Sequence, residues 1–169
     1  MDNRATIPNK KHEQFTASPL IRSGILIGVG MGGFVDGIVL HQILQWHEML
    51  SHKLPPDTLE NKSINMFWDG LFHAFTWIVT AIGIALLWKV AQRNDVLKST
   101  TTFLGSLWLG WGLFNVVEGI IDHQILRIHI VKENSVNPEM WNLGFLAVSV
   151  VMMIFGWMMI KNGIRKHQY

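Results

Sequence analysis

The 169 residues contain no cysteine. Disulfides and thiolate ligands are therefore excluded, and any bound metal has to be held by His, carboxylate or Met. Charge is scarce as well: 15% of the residues are Asp, Glu, Lys or Arg, and the formal net charge is +2. That small excess is accounted for by basic residues flanking apolar stretches and calls for no nucleic-acid partner. A cleavable leader is also not expected. The first apolar stretch is long, contains Asp36 and His41, and ends without a small-residue cleavage site, so it should remain as the first membrane helix.

Apolar residues are abundant at 49%, the mean hydropathy is +0.26, and they come in blocks rather than amphipathic stripes. Four stretches have the ~20 residues that a helix needs to cross the hydrocarbon: about Ser23 to His47, Phe67 to Lys89, Phe103 to Leu126, and Trp141 to Ile160. The expected fold is all-α, an integral membrane four-helix bundle. Residues 1–22 read as a mobile tail, 23–163 as the membrane domain and 164–169 as a short second tail. Arg4, Lys10, Lys11 and Arg22 precede the first helix, Lys89, Arg93 and Lys98 lie by the second loop, and Lys161, Arg165 and Lys166 follow the last helix. The loops carrying Lys53, Lys62 and Lys132 are sparse in Lys and Arg by comparison. Lys and Arg density sets orientation, so both termini are expected in the cytoplasm of a bacterial cell, with a multi-pass chain in its cytoplasmic membrane. Trp46, Trp68 and Trp141 read as an outer aromatic belt.

Twelve residues occur twice. Asp36-Gly-Ile-Val-Leu-His-Gln-Ile-Leu-Gln-Trp-His47 returns as Glu118-Gly-Ile-Ile-Asp-His-Gln-Ile-Leu-Arg-Ile-His129, at an offset of 82 that also matches Gly28 with Gly110 and Gly30 with Gly112. After a shorter loop, Trp68-Asp-Gly-Leu-Phe-His-Ala74 answers Trp141-Asn-Leu-Gly-Phe-Leu-Ala147. The chain is thus two helix hairpins, about 23–98 and 103–163, repeated in parallel about an axis along the membrane normal. The match breaks where Asp69 and His73 meet Asn142 and Leu146, so the symmetric scaffold should enclose an asymmetric site. Gly28-Val-Gly-Met-Gly-Gly33 satisfies a dinucleotide-binding pattern but lies inside a membrane stretch without the required strand. Its glycines are spaced instead for close helix approach.

Ionisable side chains within a membrane helix cost at least ~2.5–3.5 kcal/mol each and normally mark function. Three carboxylate-Gly pairs are each followed by a His: Asp36 with His41, Asp69 with His73, and Glu118 with His123. A rise of 1.5 Å per residue puts His41, His73 and His123 about 9, 9 and 6 Å below the outer boundary. Three imidazoles at one level suit zinc, and also copper or non-haem iron. On an ideal helix Asp36 and His41 lie about 140° apart, so one ion takes both only if Gly37 permits a distortion. The three His therefore rank above Asp36, Asp69 and Glu118 as ligands, with His47 and His129 at the boundary as lesser candidates. Met49, Met66 and Met140 gather at the same mouth and would favour Cu(I).

On the acidic-Gly segment followed by His-Gln-x-Leu-x-x-His, present in helices one and three, the chain resembles a family of small bacterial predicted membrane proteins of unassigned function. The resemblance covers nearly the whole membrane portion. It implies a further His directly after His47 and His129, where this chain has Glu48 and Ile130. It also implies a setting beside cytochrome oxidase maturation and copper handling.

The leading expectation is a membrane protein holding a transition metal, zinc or copper before iron, near the outer face for metal handling or delivery. One rival is a metal-dependent membrane hydrolase with Asp36 or Glu118 as general base to zinc-bound water. Another is a bis-His b-type haem protein using His41 and His123. Expected partners are membrane lipids and the metal ion, with other membrane proteins or a second copy of the chain as further candidates.

Overall fold

The structure, a computed structural model, describes residues 15–167. Its elements are α1 (Ser18–Val35), continued without a break by a π-helix, π1 (Asp36–Ile43); α2 (Leu59–Ala91); α3 (Thr100–Glu118), continued by π2 (Gly119–Ile125); and α4 (Pro138–Arg165). All four α-helices, with the π segments, are long and apolar enough to cross a bilayer. Each begins on a residue chosen for the task. Pro19 and Pro138 sit in first turns where no N–H is needed, and Thr58 and Ser99 cap α2 and α3 by accepting from Asn61 and Thr102 N–H. With 33 residues, α2 is about 50 Å long and overshoots the ~30 Å hydrocarbon. Its first two turns stand beside the α1–α2 connection, where Lys62 pairs with Glu48 and Asn61 Nδ2–H donates to Pro55 O.

Packing runs in the order α2, α1, α3, α4, with α1 and α3 as the central pair. The contact faces carry small and hydroxylated residues. Ser23, Thr76, Thr102, Ser106 and Ser149 are fully buried, and Ser23, Thr76, Ser106 and Ser149 return their hydroxyl to a carbonyl three or four residues back. Large apolar side chains face outward instead, as Trp77 at 65% and Trp88 at 68% exposure illustrate. Such inversion is the arrangement for a lipid solvent, where close helix approach supplies the attraction. It culminates at Gly28, whose Cα lies against the Leu107 backbone, and at Gly110, whose Cα lies against the Ile25 backbone. These two contacts exchange places under the offset of 82.

The repeat expected from the sequence is thus present in the coordinates. Gln45 (φ 50°) and Arg127 (φ 49°), also 82 apart, are the non-glycine residues of positive φ among those described. Of the tail expected at 1–22, residues 1–14 lie outside the described residues; Thr16 pairs with the α2–α3 connection at Asp95 and Leu97, and α1 starts at Ser18. Pro19 starts the helix earlier than hydropathy suggested. The α2–α3 connection, the start of α1 and the end of α4 gather at one end of the bundle; the site lies toward the other.

Candidate metal centre

Both π segments begin at the repeated acid-Gly pair. In a π-helix the backbone bonds i to i+5, so residues five apart stack on one face. Asp36 and His41 are five apart, as are Glu118 and His123, and the distortion considered at Gly37 is therefore present in both halves. Each π segment closes with the same bond, Leu44 N–H to Val39 O (2.8 Å) and Leu126 N–H to Ile121 O (2.7 Å). The left-handed residues Gln45 and Arg127 then turn the chain back. Trp46 N–H reaches Leu40 O and Ile128 N–H reaches Asp122 O, which sends His47 and His129 down into the protein instead of out to the boundary.

Six ionisable side chains consequently meet, all buried: Asp36, His41, His47, Glu118, His123 and His129. The His47 and His129 rings stack with centroids 4.7 Å apart and planes 2° from parallel. His41 lies 4.4 Å from His47, and His123 lies 4.8 Å from His129. His47 Nδ1–H donates to Val131 O (2.9 Å) and His129 Nδ1–H donates to Met49 O (3.0 Å), again a pair exchanged by the repeat. A carbonyl only accepts, so each bond makes Nδ1 the donor and turns Nε2 inward, where His129 Nε2 is in hydrogen-bond geometry with Glu118 Oε1 (3.4 Å). His41 Nδ1–H donates to the Asp69 carboxylate (2.9 Å), which fixes the orientation of that ring. Burial pushes the His129 imidazole well below its ordinary range, and the nearby His47 and His123 act in the same direction.

The inward atoms carry too few hydrogen bonds for their burial. His41 Nε2 lies 2.8 Å from Asp36 Oδ2 and His47 Nε2 lies 3.7 Å from Asp36 Oδ1. Among the described residues, none of these four atoms has a partner in hydrogen-bond geometry, and the same holds for Glu118 Oε2 and both ring nitrogens of His123. Glu118 Oε1 is 3.4 Å from His129 Nε2 and 3.7 Å from His123 Nε2. Polar atoms buried without a hydrogen bond are costly, and a proton or a cation among them would lower that cost.

The sequence-predicted residues are divided by the fold. His41, His123, Asp36 and Glu118 come together, and His47 and His129 join them at the centre rather than at a solvated boundary. Asp69 supports His41 from behind and also accepts Met49 N–H (2.9 Å). His73 stands apart: its Nδ1–H donates to Asp69 O (2.8 Å) and its ring packs over Gly37 beside Phe34. Equal depth put it with the others, but the π segment turns His41 toward His47 while His73 stays on its own α-helical face. Met49 accepts from His129 through its carbonyl, and Met66 and Met140 are 62% and 70% exposed, so the thioethers of Met66 and Met140 lie outside the cluster.

Sequence reasoning missed the approach to the site. A pocket of about 450 Å³ at the loop end is lined by Glu48, His52, Lys62, Glu133 and, at its floor, His47. Glu48 is buried and paired with Lys62, and its Oε2 has no partner among the described residues. Glu133 accepts from Ser51 Oγ–H at 3.0 Å. These residues lie in loops without periodicity, and the acid next to His47 was the single available signal. Lys132 caps the neighbouring surface, 4.8 Å from both the Trp46 and Trp141 rings, so two belt tryptophans hold a lysine.

Residues 23–163 match the family described as "Predicted membrane protein (DUF2243)". No curated protein and no solved structure matches the chain.

Proposed function

The chain belongs to that predicted membrane protein family, and on this premise we propose that it binds a transition metal, zinc or copper before iron, in the buried His and carboxylate cluster, and serves metal handling. The observation that carries the reading is the reciprocal bonding of His47 and His129. Each ring gives its Nδ1–H to the backbone of the other half, so the two Nε2 lone pairs are presented to one space already shared by two carboxylates. Packing alone does not call for that expenditure of buried donors and acceptors. Imidazole and carboxylate donors favour zinc and Cu(II) over Cu(I). The pocket above His47, with Glu48 and Glu133 at its rim, is a route for a cation between the loop-side solution and the site.

A hydrolase remains the second reading. A His and carboxylate set open to a pocket has room for a metal-bound water, with Asp36 or Glu118 as its base.

Elemental analysis of protein purified without a His tag tests the main reading. Zinc or copper at one or more ions per chain is expected, with loss in the His47→Ala, His129→Ala double variant. Metal-free wild type after expression in zinc- and copper-supplemented medium would overturn it.

A further inference from the structure

We propose that the centre is dinuclear: Asp36, His41 and His47 hold one divalent transition cation, and Glu118, His123 and His129 hold a second beside it. This rests on the metal-binding reading above and goes beyond it in the number and inequivalence of the ions.

The contacts sort by half. Asp36 approaches its own His41 and His47 at 2.8 and 3.7 Å, and Glu118 approaches its own His123 and His129 at 3.7 and 3.4 Å. A tetrahedral ion with bonds of ~2.0–2.1 Å spaces its donors about 3.3 Å apart; Asp36, through its two oxygens, stands near that spacing from His41 and His47, and Glu118 Oε1 stands near it from His123 and His129. Each is one carboxylate and two imidazoles, three protein donors with a position left open. A single ion on the pseudo-two-fold would draw equivalent donors from both halves toward the axis. Here each carboxylate sits with the histidines of its own repeat.

The triples also touch. Donor atoms of Asp36, His47 and Glu118 lie within 4.8 Å of one another, as do those of His41, His47 and His129. Paired metal ions stand ~3.5–4 Å apart, and two carboxylates at the seam, each with a second oxygen, are placed to bridge them. With Asp69, three carboxylates are buried around the centre.

The two positions are not equal. His41 Nδ1 is held by the Asp69 carboxylate, whereas the matching residue in the second half is Asn142, whose Oδ1 accepts Val131 N–H (3.1 Å), and His123 Nδ1 has no partner among the described residues. A carboxylate behind a ligating imidazole is worth ~10–100-fold in metal affinity. The first position therefore binds tighter, and the second is the exchangeable one.

The test is titration of metal-stripped protein in detergent with Co(II), read by visible absorption, with zinc stoichiometry measured in parallel. Two equivalents per chain are expected, in two steps separated by about ten-fold or more. Asp69→Asn should weaken the first step until the two merge, with the total still two; if Asp69 acts on folding alone, melting drops while the steps stay apart. Asp36→Asn and Glu118→Gln, checked for folding by size-exclusion profile, should each keep one equivalent. One equivalent in wild type, or loss of all metal in either folded carboxylate variant, overturns the dinuclear assignment and leaves metal binding standing. No binding at all overturns both.

Discussion

At the residue scale, the chemistry depends on which ring nitrogen is occupied. His47, His129 and His41 are each pinned through Nδ1, so substitution to Gln, which keeps a polar group without an imidazole lone pair, should lower metal affinity by at least about ten-fold. His73 gives the opposite expectation. It sits over Gly37 and bonds its own helix, so His73→Ala should leave metal stoichiometry unchanged. Elemental analysis of the four variants side by side checks both statements. Asp36, His41, Glu118 and His123 were legible in the sequence because ionisable groups in apolar stretches are costly and conspicuous. That His47 and His129 lie among them is not visible in the sequence, because position along a helix sets depth only while the helix continues, and here the chain doubles back at Gln45 and Arg127.

At the element scale, the π segments give Asp36 and His41 a common face, as they do Glu118 and His123. An α-helical register over the same residues would set the two side chains of each pair about 140° apart, so the i to i+5 bonding is what lets both donors reach one space. The α1–α3 crossing is the other sensitive element. Gly28 and Gly110 face backbone, not flexible side-chain tips, so Gly28→Val must force the helices apart. A loss of about 1–3 kcal/mol or more is expected, measured as a lower melting temperature in detergent, with the Gly70→Val control, whose Cα faces open space, close to wild type. The glycine spacing pointed to close helix approach, but which backbone each glycine meets depends on the partner helix.

At the scale of the whole molecule, the site and its pocket lie at the end away from the start of α1 and the end of α4. We propose that the site end faces outward, because Lys and Arg crowd the opposite end. The lack of cysteine makes this directly measurable: Asn134→Cys, at the pocket rim, should react with a membrane-impermeant maleimide in intact cells, whereas Asn94→Cys in the α2–α3 connection should not. The reverse labelling pattern would invert the molecule and turn the site toward the cytoplasm.

By itself the sequence determined the solvent, the number of crossings and the duplication, because apolar length and a twelve-residue repeat are properties of the chain read along one line. It also exposed the asymmetry of Asp69 against Asn142. Only the tertiary structure decided that helices 2 and 4 flank a central pair, that His73 is a neighbour and not a member of the cluster, and that His47 and His129 are at its heart. Those outcomes depend on i to i+5 bonding and on two left-handed residues that fold the chain back, local geometries that change a side chain's direction without changing the hydrophobic pattern.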